Sequence, residues 1–158
     1  MRIEVKSLLI TMIITPILAV TCYYYKEPYV LLYSTLFFLF SFISFMGFFR
    51  SKTKLQKILI ILSLALLTAY NLKYIDSINI IEDLILYTYF FITSMTFIRN
   101  ERTFKINNLL SIIFIIILIP IIITNKRSDL LLILLIIVRI ILRIDIIHTM
   151  KKRNIKLY

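Results

Sequence analysis

Six apolar runs fill most of this 158-residue chain, and their length leaves few folds open. They cover residues 8–25, 29–49, 58–72, 80–98, 109–124 and 130–147. A hydrocarbon layer of about 30 Å takes roughly 20 helical residues, and about 17 suffice. The second and fourth runs meet that length easily, and the first and sixth are adequate. The third and fifth are short and take length from their flanks. The third extends back to Leu55, with Lys57 reaching towards headgroups, and the fifth to Ile106, with Asn107 and Asn108 at the interface.

Helices are preferred to strands because lipid offers no partner to an open strand edge. A barrel strand would also alternate apolar with polar residues, and these runs are continuously apolar. The predicted fold is therefore all-α: a polytopic integral membrane helical bundle, one domain over residues 1–158. Its six short transmembrane helices fall at about 8–25, 29–49, 55–72, 80–98, 106–124 and 130–147. A four-span arrangement, with a short run lying flat, is the alternative. Pro16 and Pro120 each remove one backbone donor inside a predicted helix, so each is a place for a kink. The short connections predict antiparallel neighbours, above all in the first and last pairs of runs.

The basic residues set an orientation. Arg2 and Lys6 precede the first run, and Arg50, Lys52, Lys54 and Lys57 fill the second gap. Arg99, Arg102 and Lys105 fill the fourth gap, and Lys151, Lys152, Arg153 and Lys156 follow the last run. The intervening gaps hold only Lys26, Lys73, Lys126 and Arg127, together with most of the acids. Basic residues accumulate on the cytoplasmic side of membrane proteins. This alternation predicts a multi-pass cell-membrane protein with both termini cytoplasmic. The opening residues have the form of a secretory signal, with Thr21-Cys22 after the apolar stretch, but five further apolar runs favour an uncleaved first span.

Composition narrows the chemistry. Hydrophobic residues make up 61% of the chain, well above the roughly 45–50% of a soluble domain. One Gly and three Pro argue against glycine-rich phosphate loops and GxxxG helix packing. The single Cys22 excludes an intramolecular disulfide or a CxxC pair. The net charge of +11 lies beside apolar runs, so anionic lipid headgroups are the expected partners and nucleic acid is not. Abundant Ile, Lys, Asn and Tyr suggest an AT-rich, bacterial genome.

The sixth run alone carries charge deep inside it. Arg139 and Arg143 are four residues apart and share a helix face, and Asp145 follows near the end. Arg139 lies nine residues past Leu130, about 13 Å along a helix rising 1.5 Å per residue. Asp145 is six residues beyond Arg139, roughly 240° around the helix, which prevents direct pairing. Two readings stand. Either the sixth helix is shifted and both arginines snorkel to the cytoplasmic face, or they face the bundle interior. In the second case Arg139 meets lipid phosphate, backbone carbonyls, an anionic ligand or a carboxylate from another subunit. Arg139, Arg143 and Asp145 are thus the candidates for binding a partner or an anion.

Other residues carry weaker signals. Asp76, Glu82 and Asp83 form an acidic group on the outer side that could attract a basic peptide or cations, although solvated loop charge explains it. His148 has only Asp145 near it on its face, too little for a metal site. Phe37, Phe38, Phe40, Phe42, Phe45, Phe48 and Phe49 coat the second run without a narrow stripe, as expected of lipid contact. Tyr23, Tyr24, Tyr25, Tyr29 and Tyr33 suit an interfacial belt. Ser34, Thr35, Ser41, Ser44, Ser63, Thr68, Thr93 and Ser94 could hydrogen-bond between helices.

No catalytic residue, cofactor or metal is expected. A serine nucleophile needs a base within reach, and no embedded His or Lys supplies one. The expected function is that of a non-enzymatic accessory, regulatory or immunity-type subunit that binds another membrane protein, or forms a homo-oligomer. A small transporter or substrate-binding membrane subunit built around Arg139 is the alternative. A lipid-modifying enzyme using Arg99, Glu101, Arg102, Asp145 and His148 is a weaker third reading.

Overall fold

The computed structural model describes residues 2–24, 30–74, 80–94, 101–124 and 130–152. Among them every regular element is an α-helix: α1 (Ile3–Tyr24), α2 (Val30–Arg50), α3 (Lys54–Lys73), α4 (Ile80–Ser94), α5 (Glu101–Thr124) and α6 (Leu130–Lys152). Three segments are long and apolar enough to cross a membrane: Ile3–Thr21 of α1, Val30–Arg50 and Lys54–Lys73. The apolar parts of α4 and α5, Asp83–Thr93 and Lys105–Pro120, are shorter. These helices identify a membrane-associated all-α protein.

Local chemistry sets the element ends where they are described. Thr53 sits in extended conformation (φ −113°, ψ 149°), and its hydroxyl accepts the Gln56 amide, capping α3. A threonine side chain here satisfies one of the donors that every helix start leaves open. The tight α2–α3 connection follows from Ser51, whose amide and hydroxyl both donate to the Phe48 carbonyl. α5 begins earlier than the apolar run suggests, at Glu101, and α6 continues to Lys152, because polar residues extend both helices beyond their apolar parts.

Helix order in space departs from order in sequence. α1 packs on α2 and α4 on α5, as short connections predict, and α2 also packs on α3 and α4. α6 packs chiefly on α3 and approaches α4 only narrowly; among the described residues its backbone does not pack on α5. The expected α5–α6 neighbours meet through side chains, Arg143 of α6 on Asn107 and Asn108 of α5, and not through close backbone packing. α3 offers α6 an apolar seam of Leu59 and Ile60 against Val138, Leu142 and Ile146. The larger core joins Phe40 of α2, Leu67 and Tyr70 of α3, Leu86, Tyr87, Tyr89 and Phe90 of α4, and Leu132 and Leu135 of α6.

The phenylalanines of α2 are not a uniform lipid coat. Phe37 and Phe40 are buried, Phe37 against Leu18 of α1 and Phe40 in the main core. Several of the helix hydroxyls do not join helices either. Ser34, Thr35, Thr68 and Thr93 donate to carbonyls of the preceding turn of their own helix. That back-bonding is the local alternative open to any serine or threonine in a helix. Ser7 of α1 does cross, donating to the Phe42 carbonyl of α2 at 2.7 Å.

Candidate functional site

The buried positions of α6 are Leu132, Leu135, Val138, Arg139, Leu142, Arg143 and Ile146. That spacing of three and four marks the inward stripe of an amphipathic helix. Two arginines therefore occupy core positions, and their accessibilities are 1% for Arg139 and 7% for Arg143. Both face the bundle interior, so snorkelling is not how this chain accommodates them.

Each guanidinium is met by neutral groups from other helices. Arg139 Nη2 donates to the Phe90 carbonyl of α4 at 2.8 Å, and Nη1 makes a longer contact of 3.4 Å to Ser63 Oγ of α3. Ser63 spends its own proton on the Ile60 carbonyl, which leaves its oxygen lone pairs to accept. The Arg139 guanidinium also lies 5.2 Å from the Phe40 ring centroid and 5.7 Å from that of Phe90. Ring faces attract cations, and more strongly where water is excluded.

One turn on, Arg143 reaches α5. Its Nε donates to Asn108 Oδ1 at 2.7 Å and its Nη2 to Asn107 Oδ1. The Asn107 amide donates in turn to the Ile92 carbonyl of α4 at 3.0 Å. Asn107 and Asn108 thus lie against the sixth helix. Like charges one helical turn apart, about 6 Å, repel by about 3 kcal/mol at an effective dielectric near 20. These neutral acceptors and the two rings offset part of that repulsion and of the desolvation cost.

Asp145 belongs to a different cluster, as its position around the helix predicts. Its carboxylate accepts from Gln56 Nε2 at 2.8 Å and Thr53 Oγ1 at 3.3 Å, and Gln56 also donates to Thr149 Oγ1 at 3.3 Å. The capped start of α3 is thereby fastened to the end of α6. His148 nearby is exposed.

At the opposite end, the structure corrects the reading of Asp83 as solvated loop charge. Asp83 is only 6% exposed, and the Tyr33 hydroxyl donates to it. The Tyr87 ring stands edge-on to Tyr33, and the Asn71 amide donates to the Tyr87 hydroxyl. Asp76 and the Glu82 side chain, the other members of that acidic group, lie outside the described residues, as do the side chains of Arg99, Glu101 and Arg102.

Sequence patterning leaves two of these tethers hidden. Asn107 and Asn108 read only as polar residues near a run end, and Ser63 as one hydroxyl among many. No family model, curated protein or solved structure matches this chain.

Proposed function

We propose that the chain is a six-span cell-membrane protein with both termini cytoplasmic. In this reading it acts without catalysis, as an accessory, regulatory or immunity-type subunit that binds another membrane protein. The observation that carries the reading is the inward placement of Arg139 and Arg143. Their hydrogen bonds reach α3, α4 and α5 of the same chain, so they brace a single body from within. Function is then exerted through the outer surface of that body. The outward residues of α1 and α5, such as Ile13, Ile17, Ile112 and Ile116, are apolar and exposed, which suits lipid or the apolar surface of another membrane protein.

The test is extraction of the tagged full chain from its native membrane in mild detergent, followed by affinity recovery. A membrane protein present in stoichiometric amount supports the reading. Recovery of the chain alone, with no phenotype on deletion, overturns it.

A further inference from the structure

One side of α3 is open among the described residues. Gln56, Leu59, Ile60, Ser63, Leu67 and Tyr70 are its buried positions. Lys54, Ile58, Ile61, Ala65 and Ala69 are exposed, spaced three and four apart and therefore on one side, with exposed Leu62 next to Ile61.

Two kinds of surface meet there. Three exposed lysines gather at the start of α3: Lys52 in the connection, Lys54 and Lys57. The Lys57 ammonium lies 5.6 Å from the ring centroid of Phe48, in the last turn of α2, so it points back to the level of the other two. Among the described residues none of these lysines pairs with a carboxylate, and the nearby Arg50 is already matched by Glu4. Beyond the lysines the surface is apolar. Ile58 to Ala69 covers about 16 Å at 1.5 Å per residue, close to half the depth of a hydrocarbon core. Along that length the exposed side chains shorten from Ile58, Ile61 and Leu62 to Ala65 and Ala69.

We propose that this side of α3 binds a phospholipid with an anionic headgroup, its phosphate against Lys54 and Lys57 and an acyl chain along Ile58, Ile61, Ala65 and Ala69. Charge complementarity selects the headgroup. Lysines near a membrane surface attract anionic lipid, whereas a zwitterionic headgroup brings an ammonium of its own, which three lysines repel. The apolar length selects a lipid over other anions. An acidic soluble segment would answer the lysines and leave the isoleucines bare, and an apolar helix alone would do the reverse. Lysine stems lying along apolar surface with their heads at the interface suit the same occupant. The proposal goes beyond the accessory-subunit reading and does not rest on it, because lipid contact belongs to the isolated chain.

The chain has no tryptophan, so a single introduced one reports its own surroundings. Leu62→Trp places the reporter on this side of α3. Leu39→Trp is the control: Leu39 and Leu62 are equally exposed, at 42%, and Leu39 shares its side of α2 with Leu31 and Thr35 and no described lysine. Each purified full-length variant is reconstituted in mixed phosphatidylcholine and phosphatidylglycerol vesicles in which one lipid or the other carries brominated chains. Fluorescence quenching then gives the relative association constant of the two lipids. At Leu62→Trp, phosphatidylglycerol should bind at least about fivefold more tightly, the worth of one lysine near an anionic surface. At Leu39→Trp the two lipids should bind equally. Adding Lys54→Gln and Lys57→Gln to Leu62→Trp should remove the preference, and Lys54→Arg with Lys57→Arg should keep it, with helical circular dichroism unchanged in both. Equal preference at the two reporters overturns the proposal, since it reflects general enrichment around a basic protein, and this comparison decides even if the glutamine variant does not fold. A preference that survives the glutamine substitutions also overturns it. So does Leu62→Trp emission that neither brominated lipid quenches, which would mean that protein covers this side of α3.

Discussion

Arg143 and Asn107 together join three helices. Arg143 Nη2 of α6 donates to Asn107 Oδ1 of α5, and the Asn107 amide donates to the Ile92 carbonyl of α4. No close approach of the α5 and α6 backbones is needed, because the arginine side chain spans the distance. Asn107→Ala removes an acceptor from a buried cation and a donor from a carbonyl at once. The expected cost is about 2–4 kcal/mol, at the upper end for hydrogen bonds to charged groups. Thermal unfolding of the purified chain, followed by circular dichroism, should show a lower midpoint. A midpoint equal to that of the native chain removes Asn107 as a tether.

The charge and the volume of Arg139 contribute separately to stability. A buried ionic group often contributes less to stability than an apolar side chain of similar volume. Arg139→Met keeps most of the volume and removes the charge, and it should unfold at or above the native temperature. Arg139→Ala leaves a cavity, and the expected loss is about 2–5 kcal/mol. If the methionine variant is as unstable as the alanine variant, the hydrogen bonds to Phe90 and Ser63 are what hold α6 in place.

Much of the fold is legible in the amino-acid sequence, and the limits have physical causes. Apolar runs dictate where helices form, because lipid or a core must receive them; that explains α1 to α6. Charge inside an apolar run singles out Arg139 and Arg143. Their direction is not readable, since Ile137, Ile141 and Ile144 on the exposed side of α6 are as apolar as Leu135, Leu142 and Ile146 on the buried side. The same uniformity hides the burial of Phe37 and Phe40 on α2. Pairings across long separations, such as Tyr33 with Asp83, leave no local mark in the sequence. Neither does the preference of α6 for α3 over its neighbour in the chain.

The cluster at the start of α3 should behave as one unit. Thr53 caps α3 through the Gln56 amide and donates to Asp145, while the Gln56 side chain donates to the same carboxylate. Thr53→Val should cost about 1 kcal/mol from the lost cap alone, and more from the lost bond to Asp145. Asp145→Asn should weaken both bonds. In a double-mutant cycle the two effects should fall short of additivity by about 0.5 kcal/mol or more, as groups in one network do. Full additivity would separate the cap from the clasp.

Orientation can be read from two described positions at opposite ends of the helices. Tyr24 ends α1, and Ser51 follows α2 in the connection that also carries Arg50 and Lys52. Basic residues on the cytoplasmic side would place Ser51 inside and Tyr24 outside. In a Cys22→Ser background, Tyr24→Cys should react with a membrane-impermeant maleimide added to intact cells, and Ser51→Cys should not. Inverted vesicles should reverse the pattern. Labelling of both positions from one side overturns the crossing of α2, and with it the N-in, C-in threading. The reversed pattern in intact cells would mean that the basic segments lie outside, against the charge rule that assigns them.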